Sequence, residues 1–195
     1  MLRTGIDPSI ERITEPIVAW RAWTLFSRGH HAELRLRPIV GGRRSWPPRR
    51  PAGASCPRRC RPVPGVDCVC GLYATHDPLA LRHARDPAVV GTVALWGRVV
   101  EHDLGYRASR AYPQRLALVC HLCFWQWGLD RARPDHVARL RGGRLVPLCR
   151  PHVEMSNRYG YRTPSLMPAD AVEQALLDTY AVDPLRVEPG DPSGI

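Results

Sequence analysis

The sequence predicts an α+β fold: a small antiparallel sheet, then a cysteine-stapled region, then an amphipathic helix near the end. Three observations carry this. Residues 16 to 119 contain several runs rich in β-branched and aromatic residues, separated by turn signals. Seven cysteines fall in two groups, one of them with the Cys-x2-Cys spacing of a metal clip. Val172, Ala175, Leu176, Thr179 and Tyr180 recur at the i, i+3, i+4, i+7 and i+8 positions of a helical stripe.

Pro16 to Phe26 and the strictly alternating Glu33-Leu-Arg-Leu-Arg37 read as a hairpin with one wet face. Residues 41 to 64 carry Gly41-Gly42, Pro47-Pro48, Pro51, Pro57, Pro62 and Pro64, which rule out regular helix and leave a loop that only its cysteines can staple. Asp77-Pro78 supplies the cap and first-turn proline of a short helix over Leu79 to Arg85. Val89 to Val100 reads as a mostly buried strand, and after the turn signal Asp103-Leu-Gly105 the stretches 106–111 and 115–119 are extended. Asp135 to Arg141, between Pro134 and Gly142-Gly143, fits a short helix, followed by an extended piece over 144–148. Pro151 to Tyr159 fits a further helix. The terminal helix begins after Pro168, with Asp170 and Glu173 in its first turn, where the helix dipole favours acids. These elements group into a sheet-centred domain (1–119), a cysteine-bearing region with the terminal helix (120–182) and a Pro-Gly-Ser-rich flexible tail (183–195).

At 195 residues and 44% apolar composition, the chain can bury a real core. It has no run of 18 apolar residues and no charged-then-apolar leader, so a cytoplasmic, non-membrane address is expected. In such a reducing compartment clustered cysteines are metal ligands more often than disulfides, and an odd count cannot pair fully. All 28 basic residues are arginine, a usage that points to a GC-rich genome before it points to a mechanism. The net charge of +10 is unevenly placed: residues 1 to 62 hold 13 arginines against 4 acids, residues 63 to 195 hold 15 against 14.

Cys120-x2-Cys123 and Cys149-x2-His152 make a set of three thiolates and one imidazole, enough for a closed tetrahedral zinc site. Cys149 opens a helix, where unpaired N–H groups and the macrodipole favour the thiolate. The same residues can also be read as buried thiols with a surface histidine, or as a redox pair. The upstream group, Cys56, Cys60, Cys68 and Cys70, is less regular; Gly71 offers the bend a Cys-x-Cys pair needs, and His76 is a substitute ligand. Without metal it is a proline-rich loop with ordinary thiols. Seven cysteines and His152 match two four-coordinate sites.

In layout, residues 120 to 160 resemble a zinc-ribbon or treble-clef finger: a knuckle at a strand end, a connecting helix and strand, then a helix bringing the last ligands. A second resemblance rests on Cys68-Val-Cys-Gly-Leu-Tyr-Ala74, Gly91-Thr-Val-Ala-Leu-Trp-Gly-Arg-Val-Val-Glu-His102 and Gly105-Tyr-Arg-Ala-Ser-Arg-Ala-Tyr-Pro113. With Trp20 to Trp23 and Trp46 to Pro48, these are similar to a family of uncharacterised actinobacterial proteins. That resemblance spans residues 15 to 119 and implies kinship without an activity. Its pattern places a histidine between the first cysteine and the Cys-x-Cys pair, where this chain has Cys60.

Three functions compete. Arg43, Arg44, Arg49, Arg50, Arg58, Arg59 and Arg61 around Trp46 suit phosphates and a stacking base, which points to a non-catalytic, zinc-binding and regulatory nucleic-acid-binding protein. Phe124, Trp125 and Trp127 are either core or a patch for a protein partner, the adaptor reading. An enzyme would draw on Glu101, His102, Tyr106 and Arg107, although neighbours in a strand face opposite ways and no phosphate loop or hydrolase motif is present.

Overall fold

A computed structural model describes residues 12–28, 33–40, 44–158 and 165–186. In chain order, the strands are β1 (Arg12–Arg28), β2 (Glu33–Pro38), β3 (Ala52–Gly53), β4 (Leu72–Thr75), β5 (Val89–His102), β6 (Gly105–Leu118), β7 (His136–Arg139), β8 (Arg144–Leu148), β9 (Leu166–Pro168) and β10 (Asp183–Pro184). The helices are α1 (His121–Trp127), α2 (Arg150–Arg158) and α3 (Ala169–Tyr180), with a 3-10 turn over Pro78–His83 that Asp77 caps by accepting from the Leu79 N–H.

Long β1 is the hub. It pairs antiparallel with β2, β5 and β8 and meets β4 at Trp20–Thr75. Because β5 also pairs with β6 and β6 with β4, the pairings β1–β5–β6–β4 close on themselves. β6 runs unbroken from 105 to 118, with the ladder shifting by a residue between Thr92 and Val93, opposite Pro113; a bulge lets a sheet carry a residue that cannot donate.

Both faces of this sheet are covered. On one, Trp23, Leu36, Trp46, Leu95 and Leu116 pack against Val172, Leu176 and Tyr180 of α3; of the predicted helix stripe, Ala175 faces solvent. On the other, Ala22, Val90 and Val119 pack against Leu81 and Phe124. Arg21 is buried: its guanidinium lies 5.0 Å from the Trp46 ring and donates to the carbonyls of Tyr73 and Val40. Burial pulls its pKa down to about 9, which still leaves it charged at neutral pH.

Two expectations change. Asp135 to Arg141 is not a helix: β7 pairs with β8 and β9, and its Val137 and Ala138 are buried. The predicted tail is ordered at its start, since Asp183 and Pro184 pair parallel with Arg115 and Leu116 of β6 and Leu185 N–H donates to Leu116 O. Gly41, Gly42, Tyr159 and residues 187–195 lie outside the described residues.

Candidate metal centres

The first cluster forms where two helices begin. Cys120 precedes α1 and Cys123 sits in its first turn; Cys149 precedes α2 and His152 sits in its first turn. The expected place at a strand end holds, since β6 ends at Leu118, but the turn there is the start of α1, and the connection is the β7–β8 hairpin rather than a helix and strand. Helix starts suit the chemistry, because their free N–H groups favour negative sulfur. Asp135, just before β7, accepts from Arg150 N–H at 2.7 Å and holds the start of α2 against the hairpin. Beneath the cluster, Ala138, Leu148 and Val153 form a small core with the fully buried Cys120.

His152 Nδ1 lies 3.3, 3.4 and 3.0 Å from the sulfurs of Cys120, Cys123 and Cys149, and Cys123 Sγ is 3.5 Å from Cys149 Sγ. A tetrahedral ion with bonds of about 2.3 Å to sulfur and about 2.0–2.1 Å to nitrogen sets sulfurs about 3.8 Å apart and sulfur about 3.5 Å from nitrogen. The observed separations match that frame to within about half an ångström, so the four residues can hold one metal ion.

The second cluster is built by a loop. Cys56 and Cys68 sulfurs are 3.6 Å apart, Cys60 and Cys70 sulfurs 3.2 Å, and all four lie within 4.8 Å of one another. Two turns fold the chain onto itself: Arg59 N–H donates to Cys56 O, and Cys68 N–H donates to Gly65 O. Gly71 makes the bend after the Cys-x-Cys pair at φ +131°, where a Cβ would press on Arg107 and Pro64. Cys60 is the fourth member of this group. His76 is not a substitute ligand: it sits 3.6 Å from Glu101 and edge-on to Tyr106.

Sulfur electrostatics show what each cluster needs. In the loop, hydrogen bonding from Cys60 brings the Cys56 thiol down to about 6, and the same contact pushes Cys60 up to about 12. In the helix-start cluster, burial raises Cys120 and pushes Cys123 up to about 12. Packed sulfurs cannot all ionise alone; a cation removes that penalty.

Arg107 is the residue whose role the sequence misassigned. It is buried, and its guanidinium donates to the carbonyls of Gly65, Val66, Cys68 and Cys70, so it grips the ligand loop instead of facing a substrate. The predicted set is divided: Glu101 and Tyr106 are cross-strand partners that both meet His76, whereas His102 is partly buried beside Tyr73, burial holding its pKa below the usual histidine value. A lone arginine in a strand gives no signal of its target. Arg82, also missed, clamps the end of α1.

The arginine-rich set is split. Arg44, Arg49, Arg50, Arg58, Arg59 and Arg61 are exposed, and Arg43 lies outside the described residues. Trp46 is not a stacking platform: it is 3% exposed and packed edge-on against Trp23 at 5.4 Å. Of the three aromatics on α1, Phe124 is core and Trp125 and Trp127 are exposed. Among the described residues no helix is long and apolar enough to cross a membrane. The chain matches no protein-family model, no curated protein and no solved structure.

Proposed function

We propose that both clusters hold zinc and that the chain is a non-catalytic, zinc-stapled protein that binds nucleic acid through its arginine-rich loop. Thiolate-rich tetrahedral sets favour zinc over magnesium or calcium, and four protein ligands leave no open position for substrate, as in structural sites. The observation that carries the nucleic-acid reading is charge placement: residues 34 to 66 contain nine arginines and not one acid. Arg58, Arg59 and Arg61 lie between the ligands of the second cluster, so a metal there fixes where three of those charges sit. Trp46 and the β3–β6 pairing anchor the other half of the loop, with Arg49 donating to Asp178 O at the end of α3.

Native mass spectrometry is expected to count two zinc ions, both lost to a strong chelator. Affinity for a DNA or RNA fragment, read by fluorescence anisotropy, is expected to fall steeply between about 50 and 200 mM salt. Salt-independent binding, or none by the two-zinc protein, removes the nucleic-acid assignment.

A further inference from the structure

The second surface is on the opposite side of the sheet. Trp127 is 52% exposed, Trp125 62% and Leu79 58%, a concentration of apolar area that a chain with only six tryptophans does not leave in water without cost. Between α1 and the 3-10 turn lies a cavity of about 280 Å³ floored by Trp20, Leu79, Phe124, Trp127 and Leu129. It shares Leu129, Asp130 and Arg186 with a neighbouring larger cleft of about 650 Å³ under the end of β6.

This groove is held rigid at both ends. With the zinc proposed above in place, the first cluster pins the start of α1 through Cys120 and Cys123. Arg82 pins its end, donating to Trp125 O from Nε at 3.0 Å and to Gln126 O from Nη2 at 2.7 Å. Walls fixed before binding cost nothing to order, which is what a recognition groove requires. Its rim is basic: exposed Arg131 stands 5.4 Å from the Trp127 ring, and Arg133 and Arg186 are exposed beside the cleft. Two acids share that rim, Asp130 and Glu173, the latter accepting from Leu118 N–H, so three arginines face two carboxylates and the rim stays net positive.

We infer that this groove is a docking site for a protein segment that inserts a large apolar side chain beside Trp127 and Leu79 and flanks it with Asp or Glu. The apolar floor selects the anchor, and the arginine rim selects the acidic flanks. A nucleic-acid strand is the competing occupant, because arginine and exposed tryptophan also suit a stacked base. The floor is mainly carbon, and of the charged side chains in the lining Arg82 is already committed to the end of α1, which favours an apolar anchor from a protein segment over a base. This site is independent of the arginine-rich loop.

A random-peptide display library panned on the zinc-loaded protein, with depletion on Leu79→Glu, tests it. Enriched peptides are expected to share a large apolar residue next to Asp or Glu. Their affinity is expected to drop about tenfold or more in Leu79→Glu and in Trp127→Ala. Both changes are on the surface, and an unchanged metal count verifies that each variant folds. The inference is overturned by no enrichment over Leu79→Glu, by a consensus without acidic residues, or by affinity that both variants keep. It is also overturned if labelled oligothymidylate binds and Trp127→Ala abolishes that binding.

Discussion

One hydroxyl joins three distant segments. Tyr180, on the last turn of α3, accepts from Leu36 N–H and donates to Trp46 O, each at 2.9 Å, in a site closed to water. Burial pushes its phenol up to about 12, so it stays neutral and keeps both bonds through the physiological range. Tyr180→Phe keeps the ring but leaves two buried backbone groups unpaired, and is expected to cost about 1–3 kcal/mol in a urea melt without altering metal content. A second expectation concerns protons. With Cys56 brought down to about 6, Cys60 pushed up to about 12 and Cys68 raised, zinc entering the loop cluster at pH 7 must displace at least the protons of Cys60 and Cys68, so its affinity rises with pH and falls on acidification. Titration calorimetry in buffers of different ionisation enthalpy checks that count. That the cysteines gather in two groups was legible at this scale, because close spacing in sequence keeps thiols within reach of one another. Trp46 was not, since its burial depends on Trp23 and Tyr180, residues far away in sequence.

Among the elements, strands with strong β-branched patterns and the stripe of α3 were legible, because a period repeated over many residues outweighs local ambiguity. β7 was not. Four residues are too few for a period, and Pro134 with Gly142-Gly143 brackets a hairpin as well as a helix. The clusters differ in the same way: two helix starts hold the first, whereas a loop with little backbone pairing of its own holds the second. The loop therefore depends on Arg107. Arg107→Lys supplies a point charge in place of a planar fork reaching four carbonyls, and is expected to weaken zinc at the loop cluster about 10–100-fold while the helix-start cluster stays loaded. Competition with a metal-chelating dye resolves the two sites.

For the molecule as a whole, the α+β class was legible, while the closure of β1, β5, β6 and β4 was not, since closure is a property of long-range pairing and no local pattern encodes it. Closure leaves few open backbone edges, and one of them is covered by very little. Beyond β3, among the described residues the outer side of β6 is shielded at Arg115 and Leu116 only by the short β10 and the Leu185 N–H. A chain ending at Val182 would bare those groups beside the cleft under the end of β6, offering a template to the same strand of another molecule. Sedimentation velocity of that truncated chain is expected to show concentration-dependent self-association absent from the full chain; equal behaviour of the two would mean the last strand protects nothing. On that expectation, two residues of parallel pairing would be a guard against aggregation.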